Sequence, residues 1–212
     1  MLDVVIATAN RHKFEELKEL LDVPGITWRS LAEFPSVKPI REDGRTYECN
    51  AIKKAQAASR QTGLLALADD SGIEVDALDG EPGIRSARFS GSHGDDAANN
   101  AKMLRLLRDV TAQKRSARYR CALALCRGGD VTALAQGKWE GRIAFEPSGS
   151  GGFGYDPIFY LPGRRKTAGQ ISRALKQRIS HRANAARRLA PALRKIVRAA
   201  SRQTTASSSR RK

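Results

Sequence analysis

Asp69 and Asp70 stand side by side after an apolar run, Leu64-Leu65-Ala66-Leu67-Ala68, and are followed by Ser71-Gly72. Two carboxylates at the end of a buried segment cost free energy unless they are hydrogen-bonded, paired with cations or bound to a metal. A hard, oxygen-seeking ion meets that requirement. Magnesium takes one or two carboxylates and completes its octahedron with water and phosphate oxygens, and Glu42 offers a further carboxylate. Asp70, Asp69 and Glu42 are therefore the candidate Mg2+ ligands. The same motif also fits a plain loop in which Asp69 caps a turn, and by itself it does not separate the two readings.

Cations flank this pair along the chain. Thr8-Ala9-Asn10-Arg11-His12-Lys13 joins a first apolar run to a first helical pattern, so backbone N–H groups and the helix dipole favour an anion there, with Lys13 as a mobile charge. An ordinary N-cap followed by a solvated basic turn explains the same residues. The segment is no Walker loop, because it contains no glycine. Further on, Gly151-Gly152-Phe153-Gly154-Tyr155-Asp156-Pro157 combines a permissive backbone with two aromatic rings, one of which could stack on a base. A glycine-rich turn with both rings in the core is the plainer reading of that stretch alone. Lys176 and Ser180-His181-Arg182 are either helix-surface charges or a phosphate or base-edge contact at the start of a helix.

These residues need elements to hold them. Val4 to Ala7 reads as a strand, and Phe14, Leu17, Leu20 and Leu21 recur at helical spacing until Pro24-Gly25. Ile26 to Leu31 suggests a second strand, and Lys38 to Gly44 a turn-rich loop. Thr46 opens an Ala-rich helix carrying Asn50, Lys53 and Lys54 to about Arg60. Leu64 to Ala68 reads as a buried strand delivering Asp69-Asp70 at its carboxyl end, where open α/β sheets bind ligands. Asn99 to Leu107 predicts a helix, and Arg118 to Leu125 with Val131 to Gly137 a strand pair turning at Gly128-Gly129. Trp139 to Phe145 predicts a further strand. The last helix begins near His181, with Pro191 expected to kink or split it.

The 212 residues, 41% hydrophobic, suffice for one domain. The longest apolar run falls far below the roughly 20 residues that span a bilayer, and the first residues carry an acid where a secretory signal is basic. Cys49, Cys121 and Cys126 show no metal or redox spacing and are odd in number, which predicts free thiols. A cytoplasmic protein without a membrane partner is the expectation. The net charge of +16 is unevenly placed: Gly163 to Lys212 holds 16 Lys and Arg and no acid, while the rest is balanced at 22 against 22. Residues 1–200 are read as the domain and 201–212 as a basic, disordered tail. Such a tail could neutralise nucleic-acid phosphates, although that role as the main function would leave the acidic cluster without a purpose.

Taken in order, the motifs resemble one family, the inosine triphosphate pyrophosphatases, over about residues 3 to 190. The resemblance rests on Thr8 to Lys13, Glu42 to Glu48, Asn50-Ala51 with Lys54, Ala68 to Gly72, Pro82-Gly83-Ile84, Ser86-Ala87-Arg88, Gly151 to Phe159, Lys176 and Ser180-His181-Arg182. It departs at Ala9, where glycine is usual, at Cys49, where a second Glu is common, and at Gln170 and Leu175, which replace acids. The resemblance implies an α/β fold with a long, twisted, mixed central sheet flanked by helices, two lobes with a cleft between them, and a homodimer. It implies Mg-dependent hydrolysis of ITP, dITP or XTP between the α and β phosphates, giving a monophosphate and pyrophosphate. Asp70 would bind the ion and activate water, with Asp69 and Glu42 assisting. Lys13, Lys54 and Lys176 would neutralise phosphate charge. Thr8, Ala9, Asn10, Arg11, His12 and Ser71 would position the phosphates. Phe153 would stack on the purine, with Gly154, Tyr155, Asp156, His181 and Arg182 around its edge. A pyrimidine or modified-nucleotide pyrophosphatase of similar architecture is the rival within enzymes.

Overall fold

The computed structural model describes residues 1–38, 40–92 and 94–209, with side chains through Arg202. Seven strands form one open sheet in the order β2-β1-β3-β4-β5-β6-β7. β1 (Leu2–Ile6) lies parallel to both β2 (Ile26–Ser30) and β3 (Leu65–Val75). From β3 onward every pairing is antiparallel, through β4 (Ser116–Arg127), β5 (Asp130–Ile143), β6 (Phe159–Leu161) and β7 (Lys166–Thr167). The sheet is thus mixed, as expected, and helices cover both faces.

Local chemistry sets most boundaries. Asn10 caps α1 (Arg11–Leu20), its side chain accepting from the Lys13 N–H. Thr46 caps α2 (Tyr47–Thr62), which ends at Gly63 in the left-handed conformation. Asp95 caps α3 (Asp96–Leu106), a turn earlier than its apolar spacing suggests. The β4–β5 hairpin turns on Gly128 and Gly129, both at positive φ, in the two-residue loop that antiparallel strands favour.

Three expectations need correction. β3 does not end at Ala68: it continues to Val75, so Asp69 and Asp70 sit in mid-strand, paired with Leu123 and Ala122 of β4. The strands expected at Val131 to Gly137 and Trp139 to Phe145 are one 14-residue strand, β5. Gly137 does not break it. A Cβ there would lie 1.9 Å from the His181 carbonyl oxygen, so this glycine admits a helix against the strand. That helix, α5 (His181–Ser209), runs through Pro191 unbroken, because Pro191 is on its exposed side while Leu189 and Leu193 are buried against the sheet. Its helical backbone reaches into the segment read as a disordered tail, whose last residues, 210–212, lie outside the described ones.

Two cores cover the faces of the β2-β1-β3-β4 half. Val4, Ile6, Leu65, Leu67, Leu123 and Leu125 pack under α1 and α5. Val5, Ala7, Ala66, Ala68, Ala122 and Ala124 meet Ala51, Ala55 and Ala58 of α2, small against small, which brings α2 close to the strands. A third core, with Ile73, Met103, Trp139, Ile158 and Phe159, fills the other half. The ends of these halves face each other across a cleft bordered by α1, by α4 (Arg173–Ile179) and by the Gly151–Phe153 loop. No helix among the described residues is long and apolar enough to cross a membrane.

Candidate active site

Successive side chains of a strand point to opposite faces, and this separates the acidic pair. Asp69 follows Leu65 and Leu67 onto the α1/α5 face; Asp70 follows Ala66 and Ala68 onto the α2 face. The two carboxylates therefore do not converge on one ion from one side, as their adjacency in sequence suggested.

Asp69 is fully buried and fully engaged. It accepts from Lys13 Nζ at 2.6 Å, Ser71 Oγ at 2.7 Å, Arg182 Nε at 3.0 Å and the Cys121 thiol at 3.2 Å. Burial alone would raise its pKa, but the Arg182 and Lys13 charges hold it well below the usual carboxylate range. Arg182 is likewise occupied, donating to Glu16 at 2.7 Å and to Ser71 Oγ at 2.9 Å. With every oxygen committed to protein donors, Asp69 is placed as an organiser of cations.

Asp70 differs. It is 5% exposed, yet its contacts are long: Asn50 Nδ2 at 3.2 Å and Lys54 Nζ at 3.4 Å. Burial pushes its pKa up, against the opposing pull of Lys54 and Lys13. Lys54 also donates to Glu42 at 2.9 Å, so one ammonium sits between the two carboxylates. Burial works against the Lys54 charge, but Asp70 and Glu42 keep its pKa raised. Asn50 and Lys54 share a face of α2 at i and i+4. Glu42 and Asp70 are two oxygen donors facing a common cationic position, a set that fits magnesium with water and phosphate completing the shell.

The Thr8–Lys13 segment is open to solvent at Ala9, Asn10, Arg11 and His12. Thr8 Oγ1 accepts from the Asn10 N–H, so the segment is ordered before any ligand arrives. Ala9 is not among the described residues at positive φ, and an alanine therefore serves where glycine is usual.

Across the cleft, Phe153 stacks on His12 with centroids 5.6 Å apart, and Lys176 and Arg182 lie over its ring at 4.7 and 5.6 Å. A cavity of about 510 Å³ on one side of Phe153 is lined by Arg11, His12, Glu15 and Ile171. A smaller one of about 120 Å³ reaches Lys13, Ser71, Tyr155, His181 and Arg182. Asp156, expected at the base edge, is bound instead to Lys176, the Phe153 N–H and the Tyr119 hydroxyl. Gly152 makes room for it, since a Cβ there would meet Asp156 Oδ2 at 1.9 Å. Lys176 thus sits with Asp156 and Phe153 and makes no hydrogen bond or ion pair with Asp70 or Glu42. Tyr155 is buried, donating to the Ser86 carbonyl at 2.8 Å, and Gly154 donates to Asp96 and accepts from Asn100.

His181 is buried and stacked on Tyr119 at 4.5 Å, and its Nδ1 has no partner among the described residues. Burial first, then Arg182 and Lys176, push its pKa well below the ordinary value, so the ring is neutral. Sequence reasoning missed Glu16, Cys121 and Tyr119. Glu16 occupies an ordinary helical position and Cys121 and Tyr119 ordinary strand alternation, so only tertiary contact reveals them.

The sequence profile of the Ham1 family matches residues 4–192. A dITP/XTP pyrophosphatase of Desulforamulus reducens is 47% identical over 195 residues, which cover 92% of this chain and 97% of that protein. One of Thioalkalivibrio sulfidiphilus is 50% identical over 188 residues, 88% of this chain and 95% of that protein. Among solved structures, a HAM1 protein from Coxiella burnetii superposes with a TM-score of 0.83 at 42% identity, covering 92% of this chain and all of that one.

Proposed function

The chain belongs to the Ham1 family, and we propose that it hydrolyses deaminated purine nucleoside triphosphates, dITP, XTP and ITP, to the monophosphate and pyrophosphate. The observation that carries the mechanism is the inequality of the two adjacent carboxylates: Asp69 is saturated by four donors, whereas Asp70 is buried with two long contacts.

In this reading Asp70 takes the proton of the attacking water, and its raised affinity for a proton suits a general base. Glu42 and Asp70 would hold a magnesium ion, which supplies Lewis-acid neutralisation of phosphate charge. Lys54, already between these carboxylates, turns to the phosphates, and Asn50 keeps the Asp70 carboxylate oriented. Lys13, held by Asp69, and the exposed backbone at Ala9, Arg11 and His12 cradle the triphosphate at the start of α1. Thr8 and Ser71 fix the two sides of that cradle.

The purine takes the place of His12 against Phe153. His181, neutral and lining the smaller cavity, donates to a 6-keto oxygen and meets no acceptor in adenine's 6-amino group. Asp156 acts on the loop and on Lys176, whose charge lies over Phe153, and Arg182 acts by holding Asp69 and Ser71. A substrate drawn from the nucleotide pool supports a cytoplasmic location, and we assign the protein the homodimer implied by the motif resemblance, to be checked by light scattering.

The test is pyrophosphate release from ITP, dITP, XTP, ATP, UTP and dTTP with and without magnesium. Asp70→Asn is expected to lower kcat by about 10²–10⁴-fold; near-wild-type turnover would remove Asp70 as base. His181→Phe is expected to narrow the preference for ITP over ATP, and an unchanged ratio would leave base selection elsewhere. Preference for UTP or dTTP would favour a pyrimidine enzyme.

A further inference from the structure

We propose that the exposed outer face of α5 is a docking surface for the backbone of duplex nucleic acid, a role separate from nucleotide hydrolysis. The charge excess belongs to this part of the chain, since Gly163 to Lys212 contains 16 Lys and Arg and no Asp or Glu. The fold decides where those charges go. Ala185, Ala186, Leu189 and Leu193 of α5 are buried in the sheet core, with Ile196 and Val197 packed beside them. Arg194, Lys195, Arg198 and Arg202 are thereby turned outward together, all exposed, around Pro191 and Ala199.

These four cations differ from the other basic residues of the helix. Arg182 is neutralised by Asp69 and Glu16, and Arg187 and Arg188 donate to the carbonyls of Arg178 and Gln136. Among the described residues, no ion pair or side-chain hydrogen bond includes Arg194, Lys195, Arg198 or Arg202. Elsewhere on the surface exposed cations do find acids, as Arg85 does with Glu81 and Arg173 with Glu19. An unneutralised row spanning roughly 12 Å along one helix face is unfavourable in the free protein and favourable beside a polyanion.

The chemistry of the row selects the polyanion. A membrane-surface helix inserts an apolar face, but that face of α5 is already buried in the protein. Single strands are held by stacking on aromatic rings, and α5 contains no Phe, Trp or Tyr. Protein partners are anchored by buried aromatic or apolar groups, which this face also lacks. A duplex presents one charge per about 1.7 Å of axis and needs only regularly placed cations. The contact is therefore to phosphates and independent of base sequence.

The test uses the full-length protein and a fluorescently labelled DNA duplex, with anisotropy measured from about 50 to 200 mM salt. Four phosphate contacts correspond to a loss of about 10²-fold in affinity over that range. Replacing Arg194, Lys195, Arg198 and Arg202 together by Gln, a good helix former, is expected to reduce the log–log salt slope by about 3 to 4. ITP turnover and far-UV circular dichroism should be unchanged, which shows that the fold and the hydrolytic site are intact. An unchanged slope in that variant overturns the proposal. So does tighter binding to the single strand than to the duplex, and so does capture by phosphatidylglycerol vesicles that depends on these residues without duplex binding. Duplex binding is read without hydrolysis, so its failure is distinguishable from failure of the pyrophosphatase reading.

Discussion

Asp69 shows how one buried residue can tie together groups brought from several elements. Its carboxylate neutralises Lys13 and Arg182, takes the Ser71 hydroxyl and accepts from Cys121, and through Arg182 it reaches Glu16. Removing its charge would leave Lys13 without its acid and buried Arg182 with Glu16 as its one remaining carboxylate. Asp69→Asn is therefore expected to cost about 3–5 kcal/mol of stability in urea unfolding, with a raised KM for ITP because Lys13 loses its anchor. A stability change below about 1 kcal/mol, the range of a surface pair, would mean that Asp69 is not the centre of this network. Asp70→Asn should behave oppositely, with turnover lost and stability little changed or improved, since burial already disfavours the Asp70 charge. The contrast between adjacent residues of the same type is a sharper test than either variant alone.

At the scale of elements, the close approach of α5 to β5 determines whether the site assembles. His181 and Arg182 lie in the first turn of α5, and the backbone there rests on Gly137, where a Cβ would be 1.9 Å from the His181 oxygen and 2.5 Å from the Ala185 nitrogen. Gly137→Ala forces backbone against backbone. It is expected to destabilise by at least about 1–3 kcal/mol and to displace His181 and Arg182, so that selectivity for ITP falls together with the unfolding midpoint. Retention of both would show that α5 can slide without consequence. Gly72 plays the same part on the other face: a Cβ would be 2.3 Å from the Gly83 oxygen and 2.5 Å from Ser86 Oγ, where the Gly83–Arg88 turn closes on β3.

For the molecule as a whole, acid stability follows from the buried ionisable groups. His181 has its pKa pushed well below the ordinary 6.5, so below that pH the unfolded chain binds a proton that the folded one refuses. This group's contribution is fully present above pH 6.5 and falls by up to about 1.4 kcal/mol per pH unit below it. Asp70 and Asp156, raised by burial, act with the opposite sign, because folding favours their protonated forms. The difference between wild type and His181→Gln isolates the histidine. Unfolding free energies at pH 7.5 and pH 5.5, solution conditions chosen to bracket that ordinary value, should show the wild type losing more than the variant. Equal losses would mean that His181 is protonated in the fold.

Much of this protein was legible in the order of its residues. The caps at Asn10 and Thr46, the Gly128-Gly129 hairpin and the Ala-rich helix follow from local propensity and periodicity, which sequence records directly, whereas the mixed α/β sheet was legible through the motif resemblance. The ordered motifs also identified the family, because they hold residue types that the chemistry requires. What the order could not settle was the direction in which adjacent groups point and what distant groups neutralise them. Asp69-Asp70 looked like the end of a strand because charge seldom continues into a core. The strand continues because Lys13, Arg182 and Lys54, brought from α1, α5 and α2, neutralise both carboxylates in place. Gly137 and Pro191 looked like breaks for a similar reason, since a local rule cannot register a helix packed on a strand backbone or a core that holds both sides of a proline. Local propensity thus determined the elements and the motifs identified the family, while long-range packing and charge neutralisation made Asp69 an organiser and left Asp70 the under-coordinated carboxylate at the centre of the site.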